Sequence, residues 1–63
     1  MTPKLDETDV KILRILRKNA RITTKEIAAR VNLSTTPVFE RIKRLESEGF
    51  IERYTAILNP EKL

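Results

Sequence analysis

Apolar residues recur with a helical period over the first twenty residues of the chain. Five of them share one face at the 3.6-residue period: Leu5, Ile12, Leu13, Leu16 and Ala20. Lys11, Arg14 and Lys18 fall on the opposite face. Asp6 precedes the run and has the kind of side chain that commonly caps a helix start. The pattern therefore predicts an amphipathic helix over residues 7–18.

A second helix is predicted from its boundary residues. Thr23 is followed three residues later by Glu26, the pattern of a capping box, in which each residue satisfies a free backbone amide of the other. The helix then runs through Val31. Asn32 follows, and asparagine tolerates the left-handed backbone conformation that commonly ends a helix. A stop and a tight turn are expected there.

A third helix is predicted over residues 35–48. Ser34 stands at its cap position, and Pro37 lies in its first turn, where a missing amide hydrogen costs no intrahelical bond. Its inward face carries Val38, Ile42 and Leu45. Gly49 is expected to end it.

The segment from Phe50 to Leu58 is rich in β-branched and aromatic residues and predicts one strand. It contains no Gly, Asn, Asp or Pro after Ile51, so it has no turn with which to fold back into a hairpin. Antiparallel pairing with a second copy is one hypothesis for its backbone, and a single solvated strand is the alternative. The predicted fold class is all-α, a three-helix, winged-helix-like helix-turn-helix domain with one C-terminal β-strand.

Composition narrows the function. The 63 residues include 13 Lys and Arg against 9 Asp and Glu, a formal charge of +4, and there is no His and no Cys. Disulfides, thiolate zinc sites and cysteine nucleophiles are thereby excluded, and the usual proton shuttle and nitrogen ligand are missing, so no enzyme, metal or cofactor is expected. Apolar runs reach only three residues, so we expect a cytoplasmic protein without a membrane partner.

Positive charge is concentrated in residues 11–30, which hold seven basic residues against Glu26 alone. An anionic partner is one explanation. The other is that bases toward the end of the first helix complement its dipole.

Only residues 32–34 join the second and third helices, and this is the spacing of a helix-turn-helix motif. A small helical bundle with one tight corner would look the same, but the basic charge favours DNA. We therefore predict a sequence-specific DNA-binding module with recognition helix 35–48 in the major groove. The alternative is a winged-helix protein-interaction module that does not bind DNA.

The outward face of the third helix supplies the residues expected to face bases: Thr35, Thr36, Phe39, Glu40, Lys43 and Arg44. Phe39 would contact a thymine methyl, unless it forms a rim of the core. Glu40 would accept from a cytosine amino group, unless it forms an ion pair with Arg44 four residues on.

Phosphate contacts are predicted mainly at the start of the second helix, where free amides and the dipole favour an anion. The set is Arg21, Thr23, Thr24, Lys25, Ser34 and Arg41. Such contacts set affinity and orientation without reading sequence. For Arg21, packing against the first helix is the alternative.

The sequence also resembles the leucine-responsive, or feast/famine, regulators (Lrp/AsnC family) over residues 5–63. The resemblance lies in segments that agree in register without a gap, among them Leu5-Asp-Glu-Thr-Asp, Asn19-Ala-Arg-Ile, Glu26-Ile-Ala, Val31-Asn-Leu-Ser, Thr36-Pro-Val and Glu48-Gly-Phe-Ile. The family usually has Gly where this chain has Asn32.

This resemblance implies a transcription regulator that binds double-stranded DNA as a homodimer or higher homo-oligomer. Residues 1–50 would form the helix-turn-helix domain. Residues 51–63 would form a hinge strand leading to an α/β effector domain that is absent from this chain. In the family that second domain senses amino acids and builds the oligomer.

Overall fold

A computed structural model describes residues 5–63, so the first four residues of the predicted domain lie outside the described range. The described part contains three α-helices: α1 (Glu7–Lys18), α2 (Thr24–Val31) and α3 (Thr35–Ser47). A short 3-10 helix follows at Pro60–Lys62. The three predicted helices are confirmed, and α3 ends one residue earlier than predicted. No helix within residues 5–63 is long and apolar enough to cross a membrane.

Side chains cap the first two helices. At α1, Asp6 accepts a hydrogen bond from the Asp9 amide (2.8 Å), and the Asp9 carboxylate accepts one from the Asp6 amide (3.2 Å). At α2, the Thr23 hydroxyl accepts from the Glu26 amide (3.1 Å) as predicted. The return bond differs, because the Glu26 carboxylate accepts from the Thr23 hydroxyl rather than from its backbone amide.

The helix ends follow the predicted turn chemistry. Asn32 is left-handed, with φ 61° and ψ 40°. Gly49, with φ 83°, ends α3. Beyond it, the Phe50 amide donates to the Leu45 carbonyl (2.9 Å) and the Gly49 amide to the Glu46 carbonyl (3.2 Å), which makes a Schellman motif. Ser34 occupies the cap position of α3, but its side chain makes no capping hydrogen bond.

The core lies at the centre of the three helices. Its fully buried apolar residues, none more than 3% exposed, are Ile12, Ile27, Ala28, Val38 and Leu45. Half-buried residues including Leu13, Leu16 and Ile42 pack around them. Each helix contacts both of the others, so the three enclose one core and each turns its outer face to a different side. Leu5 precedes α1 and is 37% exposed.

The strand predicted over residues 50–58 is not present in the described structure, which has no regular secondary structure from residue 51 to residue 59. A strand needs a neighbouring strand for its backbone hydrogen bonds, and no other segment of the described chain pairs with this one. The amides of Phe50 and Ile51 instead donate to the Leu45 carbonyl at the end of α3. Further along, the Tyr54 hydroxyl donates to the Glu46 carboxylate (3.0 Å).

Candidate nucleic-acid interface

The helix-turn-helix corner is built by packing between α2 and α3. Ile27 and Ala28 on α2 and Val38 on α3 belong to the same buried cluster. Asn32 and Leu33 in the connecting turn are exposed. The left-handed Asn32 lets the chain reverse within three residues, and this holds α3 at the edge of the bundle with one face in solvent.

The six predicted base-facing residues lie on that solvent face. Five of them are exposed along the helix: Thr35, Thr36, Phe39, Glu40 and Lys43. The sixth, Arg44, is partly engaged by α1, and 44% of its side-chain surface remains exposed. Val38 and Leu45 face the core with no exposed surface. The exposed stripe is therefore available to a groove without disturbing the fold.

Phe39 and Lys43 form a pair within the stripe. The Lys43 ammonium lies 5.5 Å from the centre of the Phe39 ring, within range of a cation–π interaction. Phe39 is 49% exposed, so it is part of the outer surface more than of the core rim. An aromatic ring and a cation are thus exposed side by side, one turn from the start of α3.

Sequence reasoning missed the role of Asp9, a carboxylate with no exposed surface. It accepts hydrogen bonds from Arg44 and from Arg41 (2.9 Å), both on α3. Asp6 adds a second carboxylate, 2.6 Å from the Arg41 guanidinium. A signal was available in the sequence, because Asp9 lies three residues before Ile12, on the apolar face of α1.

These ion pairs favour the charged forms of both partners. The hydrogen bond from Arg41 holds the pKa of Asp6 below its ordinary value, with the Asp9 amide as a second donor. The same carboxylates raise the pKa of Arg41. Charged side chains of α3 are thus paired with carboxylates at the start of α1.

The alternative in which Glu40 forms an ion pair with Arg44 is not observed. Arg44 instead pairs with Asp9 and, at 4.0 Å, with Glu48. Within the described residues, Glu40 has no salt-bridge partner. Its exposed carboxylate is thus available as a hydrogen-bond acceptor on the stripe.

The predicted phosphate-contacting residues fall into two groups. Arg21, Thr23, Lys25 and Ser34 are exposed, while Thr24 and Arg41 are half-buried. Four of the six, Arg21 and residues 23–25, cluster at the start of α2. The exposure of Arg21 argues against the alternative in which it is packed on α1. Arg41 is the exception in the set, because its guanidinium is held by Asp6 and Asp9.

Comparisons with known proteins agree with this geometry. Residues 5–52 match the family described as winged helix-turn-helix DNA-binding. The leucine-responsive regulatory proteins of Escherichia coli K12 and Klebsiella pneumoniae are each 52% identical to the chain over 59 residues. That alignment covers 94% of this chain and 36% of each relative, so the chain spans about a third of their length.

Solved structures of transcription regulators also superpose on this chain. A transcriptional regulator in complex with L-Met from Neisseria meningitidis superposes with a TM-score of 0.90 and 46% identity, over 94% of this chain and 38% of that one. LrpC of Bacillus subtilis superposes with a TM-score of 0.89 and 37% identity, over 95% and 43%. An AsnC family regulator from Agrobacterium tumefaciens has a TM-score of 0.88 and 43% identity, over 92% and 38%.

Proposed function

Since the chain belongs to the winged helix-turn-helix DNA-binding family, as a DNA-binding domain of the Lrp/AsnC transcription regulators, we propose that it reads a specific DNA sequence with α3 in the major groove. The observation that carries the proposal is the solvent-facing stripe of α3 next to the three-residue turn. The major groove is about 12 Å wide and admits one α-helix. Nothing in the comparisons favours a module that does not bind DNA.

Base reading is assigned to the first turns of α3, where recognition helices approach base edges. The Thr35 and Thr36 hydroxyls can donate or accept a hydrogen bond. Phe39 offers its ring to a thymine methyl, and Glu40, which has no ion pair among the described residues, accepts from a cytosine amino group. Lys43, held over the Phe39 ring, reaches a base acceptor or a phosphate.

Phosphate contacts are assigned to the start of α2. The free amides and helix dipole there favour an anion, and Arg21 and Lys25 add positive charge. Thr23, Thr24 and Ser34 supply hydroxyls. Arg41 is a weaker candidate for direct contact because its guanidinium is engaged by two carboxylates. We assign it, with Asp9, the role of fixing the rotation of α3 about its axis.

Arg44 is proposed both to contact DNA and to help fix the position of α3 on α1. One side of its guanidinium contacts Asp9, and 44% of the side chain remains exposed on the stripe. A guanidinium has five N–H donors, so groups remain for a base or phosphate while the contact with Asp9 persists. Asp9 thereby orients the arginine before DNA arrives, which lowers the entropy lost on binding.

In a longer protein, we propose a homodimer or higher homo-oligomer, with residues 51–63 as the hinge to an effector domain. The unpaired backbone of residues 52–58 supports pairing with a second copy. An amino-acid effector is supported by the complex of one structural neighbour with L-Met. The cytoplasm is the proposed location, since the partner is DNA.

Selecting bound duplexes from a random DNA pool tests the proposal. The expected result is an enriched motif, because base contacts discriminate sequence by about 1–3 kcal/mol per good pair. Affinity for the selected duplex should fall with salt, with a log–log slope of about −3 to −5 if four to six phosphates are neutralised. A pool that stays random, or a flat salt response, would contradict sequence-specific DNA binding.

A further inference from the structure

A groove of about 510 Å³ lies between α1 and α2. Five residues line it: Arg14, Ile15, Arg17, Lys18 and Arg30. The four cationic side chains are exposed, and Ile15 is half-buried. No carboxylate lines the groove, and none of the four cations forms an ion pair within the described residues.

The groove is separate from the proposed recognition surface. Four of its lining residues belong to α1 and one, Arg30, to α2. The groove contains no residue of α3 and none from the start of α2. A duplex with α3 in its major groove therefore contacts a different set of residues.

Helix dipoles account for only part of this charge. Arg17 and Lys18 lie in the last turn of α1 and Arg30 in the last turn of α2, where cations are favoured. Arg14 lies further from the helix end, and the dipole effect falls off within the last turn. Helix dipoles therefore account for Arg17, Lys18 and Arg30, and the placement of Arg14 beside them needs another explanation.

We propose that this groove binds the phosphate backbone of a second DNA segment, distinct from the one read by α3. Guanidinium groups suit phosphate because their planar fork donates two parallel hydrogen bonds to its oxygens. A duplex presents many phosphates to a shallow, exposed surface, and their contacts add up through counterion release.

Other occupants fit less well. A protein partner requires an interface core from which charges are depleted, and among the described residues that line this groove the only apolar side chain is the half-buried Ile15. A small polyphosphate would be left largely in water by four exposed side chains, whereas small-ligand sites bury most of their ligand. With both surfaces occupied, one domain joins two DNA segments.

The test is a titration of the isotope-labelled 63-residue chain with a short duplex of arbitrary sequence, followed by amide shifts at residues 14–18 and 30. The groove variant carries Arg14→Gln and Arg30→Gln. The matched control carries Arg53→Gln and Lys62→Gln, which lowers the formal charge equally on exposed residues outside both surfaces. Circular dichroism confirms that both variants fold.

We expect duplex to shift the groove amides in the parent and in the control, and the groove variant to lose these shifts. The salt slope measured at these amides should fall by about two, one for each lost phosphate contact. If the groove amide shifts were lost equally in the two variants, net charge alone would explain the loss, and this would overturn the proposal. Saturation by tripolyphosphate without a response to duplex would indicate a small-anion site and also overturn it.

A second measurement tests whether the two segments are distinct. Donor- and acceptor-labelled duplexes should show energy transfer with the parent chain and not with the groove variant. Groove shifts without energy transfer would place both contacts on one duplex, against the proposal. The shifts of the α3 amides report the proposed recognition surface separately, so a failure there is distinguishable from a failure of the groove.

Discussion

Arg44 of α3 donates a hydrogen bond to the carboxylate of Asp9 on α1, which is completely buried. Arg44 therefore belongs both to the outer stripe and to the packing of α3 on α1. Arg41 is the second cation on the same carboxylate, at 2.9 Å. The sequence pattern places Arg44 on the outward face of the third helix and so predicts that truncating its side chain leaves the fold intact. Because Arg44 contacts the buried Asp9, we instead expect this truncation to destabilise the domain.

Arg44→Ala should destabilise the domain by about 0.5–1.5 kcal/mol, the net contribution of one hydrogen bond, because Asp9 keeps its bonds from Arg41 and from the Asp6 amide. That corresponds to a fall in melting temperature of about 4–8 °C per kcal/mol for a domain of this size. Lys43→Ala, one residue earlier, is the matched control, since Lys43 is exposed and has no salt bridge among the described residues. Equal melting temperatures for the two variants would contradict a stabilising role of the Arg44–Asp9 contact.

The bounds of the helices could be predicted from sequence, while the Asp9 cluster was missed. Helix ends depend on residues within one turn of each other, such as Thr23 with Glu26 or the left-handed Asn32. The contact between Asp9 and Arg41 joins positions 32 residues apart, and a helical period cannot indicate which outward cation meets which inward acid. Placing Asp9 on the apolar face would have shown that it needs a buried partner.

The strand could not be confirmed for a different reason. Residues 50–58 have strand-forming side chains, but a strand also needs a partner for its backbone, and the described chain contains none. Ile57, which is 98% exposed, shows how little of this segment the bundle covers. Side-chain propensity alone is therefore a poor guide where pairing depends on another chain.

Lys43→Ala should weaken DNA binding and leave stability unchanged. If Lys43 contacts a phosphate, the loss is the same for all sequences and the salt slope falls by about one. If it contacts a base, the loss is larger for the selected sequence than for a random duplex. Lys62→Ala removes the same charge from the exposed C-terminal 3-10 helix and should change neither quantity. Equal losses in the two variants would contradict a specific role for Lys43.

The stability lost when an apolar side chain is truncated to Ala should increase with the burial of that side chain. Leu45→Ala or Ile12→Ala removes a side chain with no exposed surface, and such truncations commonly cost about 2–5 kcal/mol. A domain this small is rarely stable by more than about 3–5 kcal/mol, so both should be largely unfolded. Ile42→Ala, at a half-buried position, should cost less, and Ile57→Ala almost nothing. Chemical denaturation measures the order, and a cooperative transition of Leu45→Ala near that of the parent would contradict this core.

Acid should remove the stability that the charged Asp6 contributes to the fold. Its folded pKa lies below the ordinary value of 3.8, so the unfolded chain binds more protons between the two values. The stability that Asp6 contributes is therefore present above about pH 4 and is lost as pH falls through the lower folded pKa. Asp6→Asn retains a capping side chain but removes the charge, so its melting temperature should be lower at neutral pH and converge with the parent in acid.

Glu7→Gln is the control for that measurement. Glu7 is an exposed acid in the same turn, and it has no ion pair among the described residues. Its melting curves should follow the parent at every pH apart from the small contribution of the helix dipole. A difference between parent and Asp6→Asn that stays constant from neutral pH into acid would show that the ion pair with Arg41 is not its cause.

Hydrogen exchange should decide how the C-terminal segment is used. No backbone amide from residue 52 to residue 58 donates a hydrogen bond to another backbone group in the described structure. In dilute, monomeric chain these amides should therefore exchange almost as fast as in an unfolded peptide.

If the segment pairs with a second copy, protection of these amides should appear as the protein concentration rises, or in a longer protein that dimerises. Ala56→Pro deletes one donor and should abolish that protection, whereas Ile57→Ala keeps every donor and should retain much of it. Protection that is present at monomeric dilution, or unchanged by Ala56→Pro, would contradict pairing through this segment.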